Sequence, residues 1–88
     1  MSAADLERIR GMEAAFDEVL CALERGERDA RFLKNIRLLE EYVSSGQWLR
    51  DYESDEQGLL PARLKRGVLS QDALYNLLRR IDQEGKSV

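Results

Sequence analysis

The sequence predicts a small all-α protein, a helical bundle that forms one domain over residues 1–88. Three observations support this prediction. Apolar side chains recur every three or four residues in separate stretches, and no stretch alternates as a β-strand does. The 88 residues include only six glycines and one proline, which leaves little room for turn-rich segments. A chain of this length suffices for one domain but not two.

The first helix is predicted over 5–25. Ser2 and Asp5 have the spacing of a capping box, in which aspartate replaces the usual glutamate. The residues that follow place seven apolar side chains on one arc of a helix, namely Leu6, Ile9, Met12, Phe16, Val19, Leu20 and Leu23.

A second helix is predicted over 28–44. Leu38 and Tyr42 lie on a different arc from its main apolar series, so we expect this helix to pack against two neighbours. That main series consists of Phe32, Leu33, Ile36, Leu39 and Val43.

Residues 24–29 leave two arrangements open. Gly26 suits a chain reversal, whereas opposite charges four residues apart, such as Glu24 and Arg28, favour an unbroken helix. Each effect amounts to about 1 kcal/mol, so local energetics do not decide between them. An antiparallel hairpin would bury the apolar stripe within one chain, and a continuous helix would leave it open to a second chain. We favour the hairpin, with a long-helix dimer as the alternative.

A short third helix is predicted over 46–54. Ser44 and Gln47 have the spacing of a capping box, and Ser45 is an alternative cap. The acidic residues of 51–56 would crowd the negative end of the helix dipole, so we expect the helix to end by about residue 54. Its aromatic and apolar side chains are Trp48, Leu49 and Tyr52.

An ordered but irregular segment is expected from 57 to 70, because it carries apolar side chains and Pro61 but no helical period. The C-terminal helix is predicted over 71–84, with Ser70 as N-cap and Asp72 in the first turn. Its apolar face consists of Ala73, Leu74, Leu77, Leu78 and Ile81.

The composition excludes several functions. The chain has no histidine and one cysteine, so it lacks the residues of a Cys/His zinc site, a Ser-His-Asp triad or a disulfide framework. We therefore expect a non-enzymatic protein without a cofactor. A net charge of −3 argues against nucleic-acid binding. Neither a long apolar run nor a leader pattern is visible, so we expect a cytoplasmic protein that does not enter the membrane.

The acidic run 51–56 has part of the pattern of a metal site. Asp51, Glu53 and Asp55 have the alternating spacing that opens a calcium-binding loop. Such a loop needs glycine at its sixth position and glutamate at its twelfth, where this chain has Glu56 and Ala62. We therefore predict no metal site of this type.

A simpler interpretation pairs this acidic run with the basic residues that follow it, Arg63, Lys65 and Arg66. Such ion pairs would hold the irregular segment against the third helix.

Residues 48–61 read WLRDYESDEQGLLP and residues 64–75 read LKRGVLSQDALY. This stretch resembles a family of small bacterial helical proteins known only as a domain of unknown function. The run they share reads roughly W-x-x-D-[YF]-E-x-D-E-x-G-x-L-P-x-x-L-K-R-G-V-L-S-x-D. The resemblance implies a small helical fold and no particular activity.

Four residues of this run have no evident structural need, so we expect them to form an interaction surface: Asp55, Glu56, Lys65 and Arg66. The leading hypothesis is a module that binds a protein partner or itself through residues 48–75, with homodimerisation as the simplest version. The alternative is a protein that responds to a small molecule or metal through the carboxylates of Asp51, Glu53 and Asp55.

Overall fold

A computed structural model describes the backbone of residues 2–86 and the side chains of residues 2–83. It confirms the all-α helical bundle. The described residues form α1 (Ala3–Arg25), α2 (Ala30–Ser44), α3 (Gln47–Glu56) and α4 (Gln71–Lys86), with a short 3-10 turn at Gly67–Leu69. No strand occurs within this part of the chain. Each helix end lies within about two residues of its predicted position.

The predicted capping box at the start of α1 is present. The Asp5 amide donates to the Ser2 hydroxyl oxygen (3.1 Å), and the Ser2 amide donates to an Asp5 carboxylate oxygen (2.9 Å). The backbone N–H of Ser2, then its hydroxyl, then Arg8, lower the pKa of Asp5 to about 2. The carboxylate thus stays charged at the positive end of the α1 dipole.

The hairpin between α1 and α2 is confirmed, and the continuous helix is wrong. Gly26 adopts a left-handed conformation with φ of 73°, and the Glu27 amide donates to the Ala22 carbonyl at 2.9 Å. The Asp29 carboxylate accepts a hydrogen bond from the Phe32 amide at 2.9 Å, so α2 begins after Asp29 rather than at the predicted residue 28. Capping and left-handed geometry together outweigh the charge pairs that favoured a straight helix.

The start of α3 differs from the prediction. Ser44 is the last residue of α2, so the predicted Ser44–Gln47 capping box is wrong. Gly46 precedes α3 with φ of 85°, and the Ser45 hydroxyl oxygen accepts from the Gln47 amide at 3.3 Å. A left-handed glycine reverses the chain within two residues, which lets α3 fold back on α2.

The end of α3 lies two residues beyond the prediction, at Glu56. Gly58 adopts φ of 72°, and the Leu59 amide donates to the Ser54 carbonyl at 3.0 Å. These contacts satisfy the carbonyls of the last turn. The carboxylates tolerate this position because Asp51 and Asp55 are each paired with an arginine.

One continuous core joins all of these elements. It includes Leu60 and Leu64 from the irregular segment, which confirms that this segment is ordered and packed. The most deeply buried apolar side chains come from every helix and the 3-10 turn, and include Ile9, Val19, Leu39, Trp48, Val68 and Leu74.

None of the helices in the described residues is long and apolar enough to cross a membrane.

A buried carboxylate, that of Asp51, joins three helices. The Arg8 guanidinium of α1 donates to both Asp51 oxygens, at 2.6 and 3.1 Å. The Tyr42 hydroxyl of α2 donates at 2.5 Å, and the Gln47 side-chain amide donates at 3.3 Å. Only 2% of Asp51 is exposed, so these donors replace the water that a carboxylate would otherwise need.

This junction shifts the pKa values of its members. The hydrogen bond to Asp51 raises the pKa of Arg8, against the opposing effect of burial. Burial first, and then the hydrogen bond to Asp51, raise the pKa of Tyr42 well above its ordinary value of 10.0. The junction therefore holds a charged arginine and a neutral tyrosine against the Asp51 side chain.

Asp51→Asn is expected to lower the free energy of unfolding by about 3 kcal/mol, because it leaves the half-buried Arg8 charge without its main partner. Urea denaturation followed by circular dichroism measures this change. Asp17→Asn is the control, since Asp17 forms only an exposed contact with Lys65 at 3.6 Å, and should change stability by less than about 0.5 kcal/mol. Equal stability of Asp51→Asn and the wild type would contradict a structural role for Asp51.

Stability is also expected to fall at alkaline pH through Tyr42. Since the pKa of Tyr42 is raised in the folded state, the unfolded chain releases this proton first, near pH 10. The contribution of Tyr42 to the free energy of unfolding is thus complete below pH 10.0 and declines above it. Tyr52 also has a raised pKa, through its hydrogen bond to Glu56.

Tyr42→Phe should therefore show a shallower alkaline decline than the wild type, by at most about 1.4 kcal/mol per pH unit, while Tyr52 contributes equally to both. Urea titrations at a series of pH values above 10.0 measure the two slopes. Identical slopes would show that Tyr42 titrates normally in the folded protein.

Candidate interaction surface

The irregular segment between α3 and the 3-10 turn is held by Arg66. Its guanidinium pairs with the Asp55 carboxylate at 2.5 Å. It also donates to the carbonyls of Pro61 (2.7 Å), Ala62 (3.2 Å) and Leu64 (3.3 Å). The predicted pairing between the acidic run and the basic cluster is therefore confirmed for Asp55 and Arg66. This one side chain both satisfies loop carbonyls and connects the loop to α3.

The other two basic residues do not pair with α3. The Lys65 ammonium lies 3.6 Å from the Asp17 carboxylate of α1, and both groups are well exposed. Within the described residues Arg63 makes no hydrogen bond or ion pair. The predicted contact with the acidic run is wrong for these two residues, because the loop turns their side chains toward α1.

The 3-10 turn is fixed by two polar side chains from the core. The buried Glu13 carboxylate accepts a hydrogen bond from the Val68 amide at 2.7 Å. The Trp48 indole N–H donates to the Val68 carbonyl at 2.9 Å. A Cβ atom at Gly67 would lie only 3.0 Å from a Glu13 oxygen, so this close approach accounts for the glycine.

The three carboxylates of the alternative hypothesis do not converge. Asp51 points inward to Arg8, Asp55 binds Arg66, and Glu53 is exposed. Among the described residues, no group of three or more histidine, cysteine, aspartate or glutamate side chains could hold a metal ion. The spacing that suggested a ligand set instead places two of its members in separate ion pairs.

Aromatic rings from α3 and α4 assemble around Trp48. Tyr52 stacks on the indole with a centroid distance of 5.1 Å, and Tyr75 meets it edge-on at 5.3 Å. Trp48 itself is buried, but Tyr75 is 42% exposed and Leu49 of α3 is 51% exposed. We call the group formed by the exposed Leu49 and Tyr75 and the half-buried Tyr52 the aromatic face.

Acidic residues surround the aromatic face. Leu49, Tyr52, Glu53 and Glu56 follow the three- and four-residue spacing of one helix side, and both glutamates are exposed. Glu56 accepts a hydrogen bond from Tyr52, and the charges of Glu56 and Asp72 both contribute to the raised pKa of Tyr52. The aromatic face thus has an acidic border of Glu53, Glu56 and Asp72.

The four residues predicted from the sequence have different environments. Asp55 and Arg66 pair with each other, and Lys65 faces α1, so only Glu56 borders the aromatic face. Leu49 and Tyr75 lie within the predicted contact segment 48–75 but are not among the four residues predicted for its surface. Tyr75 lies off the apolar arc that Leu74 and Leu78 define in α4. A large aromatic residue outside the core-facing arc of a helix is the sequence pattern that indicates such an exposed position.

Arg66→Lys is expected to loosen the irregular segment while keeping the charge. A lysine has no planar fork for reaching one carboxylate and three carbonyls together, so we expect a loss of about 1–2 kcal/mol and faster hydrogen exchange at the Leu64 amide, which bonds to Pro61. Lys65→Arg is the matched control and should change neither quantity. Unchanged exchange in Arg66→Lys would show that the segment is held by its apolar contacts alone.

The chain was compared with known proteins at three levels. Neither the curated proteins nor the solved structures include a match to it. A family model, however, matches residues 9–84, a range that contains most of α1, all of α2 and α3, and most of α4. The chain therefore belongs to the family described as "Domain of unknown function (DUF4298)".

Proposed function

We propose that this protein is a non-enzymatic interaction module that binds a partner protein through the aromatic face. The observation that carries this proposal is the exposure of Leu49 and Tyr75 beside Tyr52. The rings of Tyr52 and Tyr75 pack on the buried Trp48. Such apolar surface next to charged residues is typical of protein contact sites. The compartment we propose is the cytoplasm.

The support behind the aromatic face favours binding. Trp48 is buried and its indole is hydrogen-bonded to Val68, so the rings of Tyr52 and Tyr75 rest on a fixed surface. Aromatic side chains that are held in place lose little conformational freedom on binding. Tyrosine is also enriched among the residues that dominate interface energetics. A partner would therefore gain apolar contact at a small entropic cost.

The acidic border indicates the chemistry of the partner. Glu53, Glu56 and Asp72 surround the apolar centre, and the whole chain has a net charge of −3. A partner segment that alternates lysine or arginine with apolar side chains would match both properties. An acidic partner would be repelled.

This charge pattern also bears on self-association. A symmetric dimer brings the same surface of both copies together. Through the aromatic face, it would place each acidic border against its own copy, which is unfavourable. We therefore propose a different protein as the partner. Homodimerisation through another surface stays a prediction, which sedimentation equilibrium would test.

The experiment uses a photo-crosslinking residue in place of Leu49 in the native cell, followed by sequencing of the crosslinked segment. We expect a segment in which basic and apolar residues alternate. The purified segment should then bind the wild type, and Glu53→Gln, Glu56→Gln and Asp72→Asn combined should weaken its binding by about tenfold or more. Added salt should weaken it as well.

A matched control combines Glu7→Gln, Glu24→Gln and Glu40→Gln, which removes three exposed charges outside the aromatic face and its border. This variant should bind the segment as the wild type does. Equal loss of binding in both triple variants would attribute the contact to net charge alone. A crosslinked segment without basic residues would also overturn the proposal.

A further inference from the structure

A second surface lies on the α1 side of the irregular segment. It carries basic side chains, whereas the border of the aromatic face is acidic. A groove of about 390 Å³ runs between one side of α1 and the loop of residues 61–65. We call it the basic groove. Its walls are formed mainly by Arg10, Ala14, Pro61, Arg63, Leu64 and Lys65.

Two carboxylates also reach this groove, and both already have partners. Glu13 accepts the Val68 amide hydrogen bond at 2.7 Å and is buried. Asp17 lies 3.6 Å from the Lys65 ammonium. The Glu13 contact holds the 3-10 turn against α1, and the Lys65 ammonium lies beside the Asp17 carboxylate at the rim of the groove.

The two guanidinium groups of the groove have no partner among the described residues. Arg10 and Arg63 are exposed, and within the described part of the chain neither makes a hydrogen bond or an ion pair. They come from opposite walls, one from α1 and one from the loop. Guanidinium groups bind carboxylates and phosphates through paired N–H donors. The groove thus presents two unused anion-binding groups.

The rest of the groove is apolar. The side chains of Ala14, Pro61 and Leu64 line the groove together with the two arginines, and Leu64 belongs to the core. The volume of about 390 Å³ is in the lower range of pockets for small molecules. Such dimensions suit a compact organic molecule better than a folded partner.

We infer that the basic groove binds a small organic anion, in which a carboxylate or phosphate monoester contacts Arg10 and Arg63 and an apolar body covers Leu64. The site is separate from the aromatic face and does not depend on the function proposed for that face. A ligand here would contact both α1 and the loop, so it would also stabilise the loop that Arg66 holds.

The experiment titrates the full chain with phenyl phosphate and with phenylacetate, followed by nitrogen-15 NMR. Backbone amides of Arg10, Ala14, Leu64 and Lys65 should shift in a saturable manner at millimolar ligand. Benzyl alcohol tests the apolar contact alone, and inorganic phosphate tests the anion alone. Both should bind at least about tenfold more weakly than phenyl phosphate.

Two variants with the same change in net charge separate the site from general attraction. Arg10→Gln with Arg63→Gln should weaken phenyl phosphate binding by about tenfold or more. Arg50→Gln with Arg79→Gln, both exposed and outside the groove, should leave it unchanged. Fold is checked in each variant by its urea midpoint.

Absence of saturable shifts with either aromatic anion would overturn the inference, as would equal weakening in the two variants. Equal binding of benzyl alcohol and phenyl phosphate would also overturn it, since the arginines would then contribute nothing. Stronger binding of phenyl phosphate than of phenylacetate would identify the phosphate monoester as the natural head group, and the reverse order would identify the carboxylate.

Discussion

The buried ion pair between Arg8 and Asp51 is the contact on which the rest of the structure depends. A carboxylate that is only 2% exposed needs full hydrogen bonding, and Arg8, Tyr42 and Gln47 provide it from three different helices. Because each donor has a fixed direction, the orientation of α3 against α1 and α2 is fixed as well. An apolar contact at this position would have allowed α3 to rotate or slide.

The orientation of α3 determines what the protein presents to solvent. With Asp51 directed inward, Trp48 reaches Val68 and joins the core, and the opposite side of α3 places Leu49 and Glu53 in water. The same arrangement brings Tyr75 of α4 to the edge of the indole. The aromatic face therefore follows from a polar contact on the other side of the same helix.

Charge pairing also determines the different charges of the aromatic face and the basic groove. Arg66 bonds to Asp55 and to three loop carbonyls, so it is used within the structure, and Asp17 is used by Lys65. The exposed charges that these pairings do not use include an acidic border on the α3–α4 side, and Arg10 and Arg63 on the α1 side. A chain with a net charge of −3 thus carries two surfaces of opposite charge.

The sequence by itself determined the helices and their apolar faces, because helical periodicity and the Ser2–Asp5 cap act between neighbours in the chain. It left Gly26 ambiguous, since local terms of similar size opposed each other there. Only the tertiary structure decided the roles of Asp51 and Lys65, whose partners Arg8 and Asp17 lie far from them in the chain. A local pattern shows that charges are present, but the packing of distant segments decides which of them are paired within the protein and which face solvent.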